Sequence, residues 1–243
     1  MCTLALALGT DRRWPLVVAA NRDERMGRAS ESWSVRELPG GARVAAPRDA
    51  EKGGTWIGVS AGGLFAGITN FHPPDERFPD RTRRSRGEVV DAALASPSLA
   101  AAREVARATD PHRYNPFHLL VADAAGGFLW WYDGEQVGIG DLGPGLHVVT
   151  ERDPWGRGPR GEYVRSRWPL DLSPPRLREL LAGHGEPPWD FPCLHLGAVY
   201  GTRSGAILRL APALGHSELY VADGSPCAAL FEDRSRLLSD LSP

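Results

Sequence analysis

The chain has 243 residues, of which 42% are hydrophobic and 24% charged, with a formal charge of -2. These are values of an ordinary globular protein, and they exclude a disordered or fibrous chain. Lys52 is the only lysine, the slightly negative balance offers no basic field for nucleic acid, and no apolar run is long enough to cross a bilayer.

The length fits one domain spanning residues 1–243. Cys2, Cys193 and Cys227 are an odd number without a CxxC pair, which argues against a disulfide framework and against a thiolate zinc site. A soluble protein of the reducing cytoplasm is expected, without a secretory signal, because nothing basic precedes the apolar start and Asp11-Arg12-Arg13 interrupts it.

Thr3 to Gly9 and Leu16 to Asn21 are apolar runs separated by the polar Thr10 to Arg13, a pattern that predicts a β-hairpin. Trp56 to Ser60 and Leu64 to Asn70 repeat it around Ala61-Gly62-Gly63. From Arg86 to Ala108 the apolar spacing is helical, and Pro97 divides the stretch into two helices. Strands return at Phe117 to Asp123, Phe128 to Tyr132 and Leu146 to Thr150.

Ser173 before Pro174 marks the N-cap of a helix through Arg176 to Leu181 that Gly183 closes. Leu196 to Tyr200, Ala206 to Leu210, Leu219 to Ala222 and Ala228 to Phe231 read as a four-strand meander. Strands, helices and strands in that order imply an α+β fold of antiparallel sheets covered by helices. The proline pairs Pro73-Pro74, Pro174-Pro175 and Pro187-Pro188 are too dispersed to mark a linker.

Removal of an initiator methionine before a small residue would leave Cys2 first, joining a thiol and a free amine in one residue. The α-amine titrates at about 7.7 to 8.0, so it can take the thiol proton and return it to a leaving group. The competing role for Cys2 is a small buried hydrophobe at a strand start. The predicted hairpin brings Asn21-Arg22-Asp23-Glu24 beside it. There Asp23 can orient the amine, while Arg22 lowers the thiol pKa or binds a substrate carboxylate.

Asn70 can donate to an oxyanion or serve as a turn residue. Gly53-Gly54 lets the backbone pass close to a substrate or a neighbouring strand. The run Arg81 to Arg86 offers a phosphate site or a solvated loop. The histidines fall at no zinc spacing, so no metal is expected, although an exposed one could ligate haem iron.

Asn21-Arg22-Asp23-Glu24, the Met1-Cys2 start, Gly53-Gly54-Thr55-Trp56-Ile57-Gly58, Gly67-Ile68-Thr69-Asn70, Arg86-Gly87-Glu88, Tyr114-Asn115 and Tyr200-Gly201-Thr202-Arg203 together resemble the NRDE family. That family includes the transport and Golgi organisation protein 2 homologues. The resemblance implies an N-terminal nucleophile hydrolase fold, a four-layer αββα sandwich distantly similar to cholylglycine hydrolases and penicillin acylases.

It further implies Cys2 as nucleophile, Asp23 as orienter of its amine and Asn70 in the oxyanion hole. Ala20 stands where the amide-cleaving relatives carry an arginine, and Glu151 where they carry an asparagine. The implied activity is that of an amide, ester or thioester hydrolase or acyltransferase on a small molecule, requiring no cofactor. The resemblance also implies a second reading, a non-catalytic haem or acyl-coenzyme A carrier. In that reading Asn21, Arg22, Arg86 and Arg203 surround a hydrophobic anionic ligand.

Overall fold

The computed structural model describes residues 2–72 and 79–241; Met1 and the Pro73-Pro74 pair lie outside the described residues. The first hairpin is β1 (Cys2–Leu8) with β2 (Leu16–Arg25). Its turn is tied by Asp11 Oδ1, which accepts from the main-chain N–H of Arg13 at 2.7 Å and of Trp14 at 2.9 Å. Then follow β3 (Ser30–Glu37), β4 (Arg43–Asp49), β5 (Ile57–Ser60) and β6 (Phe65–Asn70).

Two helices, α1 (Gly87–Leu94) and α2 (Leu99–Ala108), precede β7 (Phe117–Ala122), β8 (Gly127–Tyr132), β9 (Val137–Leu142) and β10 (Gly145–Thr150). Next come α3 (Pro159–Arg167), α4 (Pro174–Leu181), β11 (His195–Leu196), β12 (Tyr200–Leu210), β13 (Glu218–Ala222), β14 (Phe231–Asp233) and α5 (Arg236–Ser239).

Among the described residues these strands build two antiparallel sheets. One has the order β10-β1-β2-β12-β13-β14, with β11 paired to β12, and the other is the meander β3 through β9. Leu4, Leu6, Leu16 and Val18 of the first sheet meet Ile57, Val59, Phe65, Leu120 and Leu129 of the second in a shared core. The other face of the first sheet gives Ala7, Val17, Ala19 and Ile207 to α4, while Ala5 and Val148 meet Val164 of α3. The outer face of the second sheet packs Ala66, Leu119 and Val121 against Val90 and Leu94 of α1 and Ala102 of α2. The result is the four-layer αββα sandwich. With both faces of β1, β2 and β7 buried, these strands appear in sequence as unbroken apolar runs rather than alternating ones.

Two parts of the expected final meander differ. The pairing of His195 and Leu196 with Tyr200 and Gly201 leaves 197–199 as a turn, so β11 ends where a strand to Tyr200 was expected. The last strand starts at Phe231, since Ala228 and Ala229 N–H groups bond back to the Ser225 carbonyl in a turn. Ser173 is the N-cap residue of α4, although its hydroxyl donates to Asp171 and not to a helix amide, and Gly183 follows the C-cap Ala182, its N–H donating to the Leu180 carbonyl at 3.3 Å.

The glycines of two separate motifs meet. A Cβ on Gly54 would lie 2.7 Å from the carbonyl carbon of Gly87 at the start of α1, so the loop before β5 and the helix that carries Arg86 touch backbone to backbone. Gly54→Ala is therefore expected to lower stability by about 1–3 kcal/mol, the usual cost of overpacking. Urea unfolding reads this directly, and an unchanged midpoint would show that the contact is dispensable.

Candidate active site

The register of the first hairpin places Cys2 opposite Arg22 and Thr3 opposite Asn21. Alternation then splits the polar motif between two faces. Cys2 follows Leu4 and Leu6 toward the space between the sheets, and Arg22 follows Val18 and Ala20 to the same side. Asn21 and Asp23 turn toward the helix layer. Asn21 Nδ2 donates to the carbonyls of Leu181 at 2.9 Å and Pro192 at 2.8 Å, tying β2 to the end of α4 and the loop after it.

Cys2, partly exposed, lines a crevice of about 20 Å³ with Arg22, Trp33, Trp56 and Thr69. That is room for one water. The Arg22 guanidinium lies 4.1 Å from the Trp56 ring centroid, and Glu24 sits beside Arg22, Arg25 and Arg28 at 3.9, 3.7 and 3.4 Å. The stack and the carboxylate fix Arg22 at the sulfur's edge. Burial pushes the Cys2 thiol pKa up, against the pull of the Arg22 charge. Without a base this thiol stays protonated at neutral pH.

Asp23 is fixed from two sides. Thr202, its cross-strand partner, donates its hydroxyl to Oδ1 at 2.5 Å, and Arg160 Nη1 donates to Oδ2 at 3.1 Å. The same nitrogen reaches Glu151 Oε2 at 3.2 Å, while Arg160 Nε donates to the Trp189 carbonyl at 3.0 Å. Asp23, Glu151 and Arg160 are all buried. Two carboxylates thus share one guanidinium beneath the site, and Glu151 serves as a counter-ion. Burial raises the Asp23 carboxyl from 3.8 to about 6.

The sign of the linkage follows from that shift. Folded Asp23 holds its proton up to a higher pH than unfolded Asp23. Its contribution therefore favours the fold most below pH 4, declines as pH rises from about 4 to 6, and is flat above. At about 1.4 kcal/mol per unit the span is at most about 3 kcal/mol. Comparing urea midpoints of the parent and Asp23→Asn from pH 4 to 7 should show this downward component in the parent alone; parallel curves would refute the raised pKa.

The remaining expected residues are dispersed. Arg86 sits at the N-cap of α1 and donates to the Pro116 carbonyl at 2.9 Å; burial lowers its pKa to about 10. Asn70 ends β6 half-buried, next to the crevice residue Thr69. Arg203 lies apart from the crevice, its guanidinium donating to the Arg28 carbonyl.

Arg160 and Trp56 had no role in the sequence reading. Trp56 lay inside the quoted glycine motif and Thr202 inside Tyr-Gly-Thr-Arg, so both were within view. Arg160 has one carboxylate partner nine residues away, Glu151, but nothing near it signals the other, Asp23, which is 137 residues away.

A family model described as Transport and Golgi organisation 2 matches residues 1–168. A transport and Golgi organization protein 2 homolog of Bos taurus is 34% identical over 154 residues, 58% of this chain and 52% of the relative, so the match spans about half the relative's length. The fold resembles an N-acylethanolamine-hydrolyzing acid amidase ortholog of Caenorhabditis elegans, at TM-score 0.58 and 12% identity over 86% of this chain and 92% of that one. It also resembles a cysteine-to-alanine mutant of the conjugated bile acid hydrolase of Clostridium perfringens, at TM-score 0.56 and 12% identity over 98% of this chain and 94% of that one.

Proposed function

The chain belongs to the Transport and Golgi organisation 2 family and has an N-terminal nucleophile hydrolase-like fold, and from that premise we propose that it transfers acyl groups through Cys2. The carrying observation is the hairpin register that sets Cys2 opposite Arg22 and next to Asp23, with the Asp23 carboxylate held by Thr202 and Arg160. The substrate is a small acyl amide, ester or thioester with an anionic group, for which Arg22 and Arg86 are the binding cations.

In this reading methionine removal frees the Cys2 amine. The amine takes the thiol proton as the sulfur attacks the acyl carbon, and the carbonyl electrons collect on an oxyanion to which Asn70 donates. The oxyanion collapses, the C–N or C–S/C–O bond breaks, and the ammonium returns its proton to the leaving group. A cysteinyl thioester remains, and water or a second acceptor removes the acyl group. Ionised Asp23 accepts from the amine and orients it.

The test is product release from a panel of N-acyl amides and acyl thioesters by protein that begins at Cys2. Turnover with a trapped thioester, falling below about pH 6 as Asp23 protonates, is the expected result. No release and no acyl adduct with any member of the panel would reject the proposal.

A second reading draws on the same cations and has a hydrophobic anionic ligand, haem or an acyl-coenzyme A, carried without turnover; the crevice has room for one water, so this ligand needs the crevice to open. For both readings we assign a reducing cytoplasm, supported by three free thiols.

A further inference from the structure

A second group of reactive side chains lies behind the first sheet, outside the crevice. His195 Nε2 is 3.2 Å from Cys227 Sγ and 3.5 Å from Cys193 Sγ. The His184 and His195 rings meet edge to face at 5.6 Å, and one ligand atom from each of His184, His195 and Cys227 falls within 4.8 Å of the others.

These distances suit a shared ion better than hydrogen bonds alone. One imidazole nitrogen has a single proton or a single lone pair, so it cannot serve two sulfurs equally. A zinc ion with Zn–S of about 2.3 Å and Zn–N of about 2.0–2.1 Å sets neighbouring tetrahedral sulfur and nitrogen ligands about 3.6 Å apart, close to the 3.2 and 3.5 Å that separate His195 Nε2 from the two sulfurs, while Cys193 itself lies outside the 4.8 Å group of the other three. His184 Nδ1 lies 2.9 Å from the Ala182 carbonyl. Donation there fixes the tautomer that leaves Nε2 as the ligating atom. Two thiols and two imidazoles favour Zn²⁺ over the hard cations Mg²⁺ and Ca²⁺.

We propose that Cys193, Cys227, His195 and His184 hold one Zn²⁺ ion that staples the loop after α4 to the loop before β14. The ligands come from separate loops, so no zinc spacing shows in the sequence, and they lie beyond residue 168, where the family match ends. Both loops grip Thr202. Leu194, between two of the ligands, donates its N–H to Thr202 Oγ1 at 2.7 Å, and Ser225, two residues before Cys227, donates to the Thr202 carbonyl at 2.7 Å. The ion therefore braces the residue that donates to Asp23, and it is structural rather than catalytic.

The experiment uses tag-free full-length protein, reduced, stripped with a chelator and titrated with Zn²⁺ or Co²⁺. The expected result is one ion per chain, the intense visible bands of tetrahedral thiolate-bound Co²⁺, and a melting temperature about 5 °C higher with Zn²⁺. His184→Ala, at an exposed position, and Cys227→Ser should each weaken binding at least about 100-fold, while Cys2→Ala binds normally whatever becomes of the acyl-transfer proposal. Failure of the reduced wild type to take up stoichiometric Zn²⁺, wild-type affinity in Cys227→Ser, or a Cys193–Cys227 disulfide in freshly isolated protein that binds no metal after reduction would each overturn the assignment.

Discussion

Cys2→Ala is expected to reduce acyl release by at least about 10⁴-fold while leaving the fold intact. The sulfur is the only protein atom of the proposed mechanism that bonds to the acyl carbon, and loss of a nucleophile removes the covalent route altogether. Little structure rests on it: the side chain is partly exposed and its strand is held by pairing on both sides. Binding of an acyl-coenzyme A or haem should survive, because Arg22 and Arg86 are untouched. An alanine inserted between Met1 and Cys2 should cost about 10²–10⁴-fold, since it keeps the thiol and displaces the amine that acts as base. Undiminished turnover in Cys2→Ala would leave Cys2 as an ordinary strand residue, and undiminished turnover in the insertion variant would remove the α-amine as the base.

The second large effect concerns Arg160. Arg160→Met should destabilise the protein by about 3–5 kcal/mol, because Asp23 and Glu151 would remain buried and would lose the cation they share at 3.1 and 3.2 Å. The defect should shrink toward acid pH, where one carboxyl can hold a proton. Adding Glu151→Gln should recover part of it, with a coupling of about 1–3 kcal/mol in a double-mutant cycle. Denaturant titrations of the four proteins give the cycle, and a loss below about 0.5 kcal/mol for Arg160→Met would show that the pair is solvated.

Much of the architecture was legible because the central strands are buried on both faces. Runs such as Leu16 to Ala20 and Phe117 to Ala122 have no solvent side to interrupt them, and the glycine turns between strands are short. The edges were not legible. β3, with the sequence Ser-Glu-Ser-Trp-Ser-Val-Arg-Glu, fully buries only Trp33, with Val35 partly buried, so its alternation has just two apolar members. β9 fully buries only Leu142 and holds glycines at 138 and 140. A Cβ at Gly138 would lie 2.6 Å from the Trp131 ring, which fills that space instead. Helix α3 escaped notice because its buried face includes Arg160 and Gly161, which carry no hydrophobic period.

The site divides in the same way. Cys2, Arg22 and Asp23 could be placed together from one hairpin register, since strand pairing converts local spacing into proximity. The partners of Asp23 could not, because Arg160 enters from the first turn of α3 and Thr202 from β12, and neither approach is coded in nearby residues. Arg203 illustrates the converse. Its motif neighbour Thr202 faces Asp23, but β12 shifts register between Thr202 and Ser204, and the arginine turns to the Arg28 carbonyl instead.

The most direct test is the intact mass of protein isolated from its own host, before and after brief exposure to an acyl thioester, with the adduct mapped by peptide sequencing. The account predicts a chain that starts at Cys2 and one acyl group on that residue. A chain that retains Met1 yet turns over substrate, or an acyl group mapped to another residue, would contradict it.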